Sequence, residues 1–193
     1  MQKKSLSLQV FRTIPLIFLC LLAFNAPAHA QPFNQPAQNA LLKGHVAGFK
    51  FLSAPKKITN ITFVNAASQP VSLSSFRGKL VLLTLCATWC PYCARELPTL
   101  DEAQDMLGKE KFVVLAISVD KEGPTIVKKY LQEKSLNLPA YADPRDTISK
   151  MMGTRGVPYS FLIDQEGNEI GRMGGDTDWS TPEAIELLRA FIR

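Results

Sequence analysis

The sequence predicts an α/β fold in which a mixed β-sheet carries helices on both faces. From about residue 56 onward the apolar pattern alternates between strand and helix periods. Leu80 to Cys86 is apolar on both faces apart from Thr84, as a central buried strand requires. The chain then closes with two strands and a helix, an order expected of a sheet layered between helices.

The elements follow in order. Ile61 to Val64 and Val71 to Leu73 flank a turn-like Ala-Ser-Gln-Pro and predict a hairpin. Ser74 to Gly78 reads as a turn leading into the central strand. Residues 91–107 are expected to be helical, because Leu97, Leu100, Ala103 and Leu107 recur at spacings of three and four; Pro98 should kink this helix. Phe112 to Val119 is a second buried strand, and Ile126, Val127, Tyr130 and Leu131 form one face of a second helix. Leu138 to Tyr141 reads as a short strand and Thr147 to Met152 as a short helix. Tyr159 to Asp164 and Glu169 to Met173 are strands joined by a tight Gln-Glu-Gly-Asn turn. Ser180 and Glu183 predict a capping box for the last helix, which buries Ile185, Leu188, Phe191 and Ile192.

The first thirty residues have a different character. Lys3, Lys4 and Arg12 precede an apolar stretch from Thr13 to Phe24, and Ala28-His29-Ala30 offers a small-residue cleavage site. This pattern predicts a secretory signal peptide over 1–30 with cleavage near Ala30. A retained anchor needs about twenty apolar residues, and this stretch is shorter and broken by Pro15. Leu19 before Cys20 argues against a lipid anchor there. The expected product is soluble and periplasmic, or otherwise exported. Residues 31–55 mix Pro, Gln, Asn and Gly and are expected to be an irregular lead-in, ordered only where Phe49 to Leu52 dock; one domain follows over 56–193.

Charge excludes one class of partner. Of 22 Lys and Arg against 17 Asp and Glu, three cations and no acid lie in residues 1–30, so the net charge falls from +5 to +2 beyond them. No basic cluster that tracks phosphates remains, and no nucleic-acid partner is expected.

The chemistry lies in TLCATWCPYCARELP, residues 84–98, which holds Cys86, Cys90 and Cys93. An odd, clustered set of cysteines is not a disulfide framework. A structural bridge between residues three apart closes almost no loop and would contribute little stability. Zinc needs about four ligands, and beyond the three cysteines only the distant His45 is on offer, so no metal is expected. A redox dithiol fits the strand-to-helix junction. Pro91 suits the first helical position, and Cys90 becomes the cap, where free N–H groups and the positive dipole end favour thiolate over thiol. Cys90 is therefore the expected nucleophile, and Cys93, one turn on, the resolving thiol.

Phe76-Arg-Gly-Lys79, Ala87-Thr-Trp-Cys-Pro-Tyr-Cys93, Glu96-Leu-Pro98 and Gly156-Val-Pro-Tyr-Ser-Phe-Leu-Ile-Asp164 followed by Gly167 together resemble the TlpA/ResA group of thioredoxin-like thiol–disulfide oxidoreductases. The resemblance runs from about residue 56 to the C-terminus. It implies a thioredoxin fold with an N-terminal β-hairpin extension, a cis Pro158 beside the dithiol, and Val157 offering backbone hydrogen bonds to an extended substrate. It also implies a partly buried Glu96 that exchanges protons with Cys93; a solvent-exposed acid near the helix start is the other reading. Trp89 reads as a contact surface beside the nucleophile. Three departures stand out, one being the expected lack of a retained membrane anchor where many members of the group are tethered. Cys86 replaces a usual aromatic and reads either as a small buried hydrophobe or as a third thiol able to exchange with the pair. Pro-Tyr between the cysteines leaves the direction of electron flow open. His45 and Trp179 carry no decisive signal.

The expected activity is reduction of selected protein disulfides without a dissociable cofactor, with electrons arriving from a membrane thiol relay. The rivals are a disulfide-donating oxidase and a copper chaperone using Cys86, Cys90 and Cys93. A peroxidase is disfavoured because no Pro-x-x-x-Thr-x-x-Cys pattern surrounds either active cysteine.

Overall fold

The computed structural model describes residues 35–59 and 61–193. The signal-peptide reading lies outside these residues. Eight strands form one mixed sheet: β1 (Lys50–Lys57), β2 (Thr62–Val64), β3 (Pro70–Ser72), β4 (Leu80–Cys86), β5 (Phe112–Ser118), β6 (Tyr141–Ala142), β7 (Tyr159–Ile163) and β8 (Asn168–Gly174). Their spatial order is β1-β8-β7-β4-β5-β6-β2-β3. The helices are α1 (Gln35–Asn39), α2 (Pro91–Leu107), α3 (Pro124–Glu133), α4 (Thr147–Met152) and α5 (Pro182–Arg189).

β4 occupies the middle, parallel to β5 and antiparallel to β7, and every one of its residues is buried. Its alternate side chains feed two separate apolar layers. Leu80, Leu82 and Cys86 join residues of α2, α3 and α5 on one face, while Val81, Leu83 and Leu85 join Ile148 and Met152 of α4 on the other. Helices thus cover both faces, and the β2–β3 hairpin extends the sheet through β6, as expected.

Four expectations need correction. The described part of the 31–55 stretch, from residue 35 on, is not an irregular lead-in: α1, a 3-10 turn over Gly44–Val46 and β1 lie there, and β1 pairs with β8. Val46 and Phe49 are buried, and the ring of Phe49 lies so close over Gly171 that a Cβ there would come within 2.3 Å of it. Second, the short strand is Tyr141–Ala142 rather than Leu138 to Tyr141. Third, Ile126 is exposed while Val127 and Leu131 are buried, so the inner face of α3 is narrower than the periodicity indicated. Fourth, the cap of α5 is Thr181, whose side chain accepts from Ala184 N–H. Ser180 Oγ instead donates to Asp178, and Glu183 accepts the His45 N–H at 3.1 Å.

Candidate active site

β4 ends at Cys86, and the chain turns through Ala87, Thr88 and Trp89 into α2. Asp120, beyond the end of β5, holds this turn. Its buried carboxylate accepts the Thr88 N–H and hydroxyl, each at 2.8 Å, and the Ser118 hydroxyl. Cys90 caps α2 from extended backbone, with Pro91 at the first helical position. Its Sγ accepts the Cys93 N–H at 3.3 Å and lies 3.5 Å from the Val157 carbonyl oxygen, to which the thiol donates. The Val157–Pro158 peptide is cis, and the Pro158 carbonyl accepts from Gly175 N–H at 3.1 Å.

The three described cysteines are free thiols and all are buried, Cys90 at 4% exposure and Cys93 at 0%. Burial pushes the Cys93 thiol far up, and its hydrogen bond with Cys90 pushes the same way. Cys86 is also pushed up by burial, then by the charges of Glu96 and Asp120. Among the described residues, no set of three or more His, Cys, Asp or Glu side chains is arranged to hold a metal ion.

Glu96 is buried, at 1% exposure, one turn along α2 from Cys93. Burial raises its carboxyl to about 8; hydrogen bonding from Trp179, then from the Thr177 backbone and more weakly from Ser160, opposes this, and the Asp176 charge adds to it. Trp179 Nε1–H donates to Glu96 Oε1 at 2.8 Å, and Oε2 has no partner. Behind them, Thr84 on β4 and Ser160 on β7 share a buried hydroxyl hydrogen bond of 2.8 Å.

The outer surface around the dithiol is aromatic. Trp89 is 69% exposed and Tyr92 52%. Arg95 stacks its guanidinium 4.6 Å from the Tyr92 ring and pairs with Asp176 at 2.9 Å. Beside Trp89 runs a groove of about 210 Å³ lined by Thr88, Ile126, Lys129, Tyr130 and Glu133. A larger cavity of about 310 Å³ includes Val81 and Arg77, at the end of β4 remote from Cys86, and no cysteine lines it.

The structure therefore gathers Cys86, Trp89, Cys90, Cys93, Val157 and Pro158 at one end of the sheet, with Glu96 beneath. Sequence reasoning missed Asp120 and Trp179. An acid directly after the predicted strand Phe112 to Val119 was the only available signal for Asp120, and nothing local marked Trp179.

A capping thiol over a buried partner thiol, on this strand–helix junction and beside a cis-proline loop, defines a thioredoxin-fold thiol–disulfide oxidoreductase. Comparison with known proteins agrees. The AhpC/TSA family matches residues 54–168, more than half of the chain, and the chain belongs to that family. The thiol-disulfide oxidoreductase ResA of Bacillus thuringiensis subsp. konkukian is 27% identical over 177 residues, covering 92% of each chain. The exposed lipoprotein thioredoxin of Streptococcus pneumoniae superposes with a TM-score of 0.54 at 25% identity, over 71% of this chain and 99% of that one. A DsbF homologue from Corynebacterium diphtheriae gives 0.63 at 20% identity, over 74% and 92%, and supports the fold alone. The ResA relative agrees with the TlpA/ResA resemblance seen in the motifs. Among the described residues no helix is long and apolar enough to cross a membrane.

Proposed function

We propose that this chain works outside the cytoplasm, after loss of residues 1–30, as a reductant of selected protein disulfides. Cys90 thiolate attacks a substrate sulfur, the substrate disulfide breaks, and a mixed disulfide forms on Cys90. Cys93 then gives up its proton, attacks Cys90 Sγ and releases the second substrate thiolate. Two electrons have passed to the substrate, and Cys90–Cys93 is left as a disulfide. A membrane thiol relay returns the electrons, since an exported space supplies no general reductant.

The observation that carries the order of attack and resolution is the inequality of the two sulfurs. Cys90 Sγ receives a backbone N–H at the helix start, where negative charge is favoured. Cys93 is fully enclosed and its thiol strongly raised. One sulfur is thus prepared to attack and the other to wait. In this reading Glu96 is the base that takes the Cys93 proton, because a carboxyl near 8 exchanges protons around neutral pH. Trp89, Tyr92 and the Val157 backbone receive the polypeptide around the substrate disulfide.

The test is the reduction potential of the pair, by equilibration against glutathione or a thioredoxin standard. A value near the roughly −270 mV of thioredoxin supports a reductant. A value near about −120 mV makes the protein a disulfide donor instead.

A further inference from the structure

We propose that Trp179 is a positioning residue that fixes Glu96 with Oε1 committed as an acceptor, so that the exchangeable proton resides on Oε2 alone. The inference rests on Glu96 being the base for Cys93. An indole N–H only donates. At 2.8 Å from Oε1 it requires that oxygen to accept in both protonation states, as carboxylate or as the carbonyl oxygen of the acid. Oε2 is left buried and unpartnered, and it is the only oxygen free to carry the proton.

The clamp is built from a distance and from both sides. Trp179 lies in the loop between β8 and α5, 83 residues from Glu96, and is fully buried with its ring edge-on to Phe49. Its backbone N–H donates to Thr99 Oγ1 at 3.1 Å, and that hydroxyl donates to the Glu96 carbonyl at 2.8 Å. Backbone and carboxyl of Glu96 are thereby tied to one loop residue.

Among the groups around Glu96 the indole is the donor within hydrogen-bond distance of its carboxyl, while the Thr177 backbone N–H also favours the carboxylate, less strongly. On the loop, Asp176 raises the carboxyl and is itself paired with Arg95 of α2, which points outward. On β4, Cys86 stays neutral because burial raises it strongly. On α2, Cys93 is likewise raised by burial. β7 contributes Ser160, which is bonded to Thr84 and whose hydroxyl favours the Glu96 carboxylate weakly. The indole hydrogen bond favours the carboxylate, so removing it raises the Glu96 midpoint above about 8.

The experiment uses the dithiol enzyme and 5,5′-dithiobis(2-nitrobenzoate). Cys90 thiolate breaks the reagent disulfide and releases one thionitrobenzoate. Cys93 then loses its proton to Glu96 Oε2 and displaces the second, so each phase is read by colour. In the wild type the second phase rises with pH to a midpoint near 8. Trp179→Phe keeps an aromatic ring beside Phe49 but removes the donor. Its second-phase midpoint moves up by about one pH unit, and the rate at pH 7 falls about tenfold, since each unit changes the ionised fraction tenfold below the midpoint. Trp179 serving only as packing would slow the phase equally at every pH with the midpoint unmoved, and that result overturns the proposal. The wild type gives an independent readout: the Trp179 indole N–H resonance follows the same midpoint and that of exposed Trp89 does not. An indole resonance that stays fixed through the titration also overturns it. Glu96→Gln separates the two claims. If it leaves the second-phase profile intact, the role of Glu96 fails and the inference with it. If it flattens the profile while Trp179→Phe keeps the wild-type midpoint, Glu96 stands and only the Trp179 assignment falls.

Discussion

Replacing Glu96 with Gln should change how stability depends on pH, by an amount that follows from the burial of the carboxyl. Gln keeps the shape and an oxygen for Trp179, and puts a neutral amide where the protonated Oε2 stands. The ordinary value of the carboxyl is 4.5 and burial raises it to about 8. Between these values the folded protein holds a proton that the unfolded chain has lost, so stability is full below about 4.5 and falls as pH rises toward 8. The difference of about 3.5 units at about 1.36 kcal/mol each is about 5 kcal/mol, complete above pH 8. Half of that loss, or more, is already present at pH 7. At 1% exposure, solvent screening does not reduce it appreciably. Glu96→Gln has no such term. Urea unfolding of both proteins from pH 4 to pH 9 should show the wild type losing about 5 kcal/mol relative to the variant. Every other titrating group is common to the two and cancels in the difference. A stability difference that stays flat within about 1 kcal/mol across that range would refute the claim that the carboxyl is held neutral by burial.

Three further outcomes follow from the same geometry. Trp89→Ala should leave unfolding free energy within about 0.5 kcal/mol, because the side chain is 69% exposed; the loss should appear in KM for protein disulfides, read in an insulin-reduction assay. Asp120→Asn replaces one accepting oxygen with a donor against Thr88 and Ser118. It should cost about 1.5–3 kcal/mol in urea unfolding and slow the Cys90 step by loosening the turn that carries it. Cys86→Ala should leave the potential of the Cys90–Cys93 pair and the turnover rate unchanged; a shifted potential would establish Cys86 as a third exchanging thiol.

The part of the site that could be read from the sequence is the part carried by adjacent residues. The seven buried residues of β4, all apolar but Thr84, Pro91 at the helix start and two cysteines one turn apart are local features, and each fixes a neighbour's geometry. β1 could not be read that way. It is an edge strand with no residue fully buried and a register shift between Phe51 and Lys56, so its sequence lacks a two-residue period. Its place is set by Phe49 closing over Gly171, a contact between distant segments. The α5 cap was misplaced by one residue because Asp178 captures the Ser180 hydroxyl and leaves Thr181 to cap. Glu96 was recognised as a candidate, but its burial depends on Trp179 from a remote loop. Trp179 had no local pattern at all.

The central claim is that Cys90 attacks and Cys93 resolves, and trapping tests it most directly. Cys93→Ser, reduced and mixed with a protein disulfide substrate, should accumulate a mixed disulfide located by mass spectrometry on Cys90. Cys90→Ser should form none at a comparable rate. An adduct on Cys86, or rapid capture by Cys93 when Cys90 is absent, would contradict the assignment.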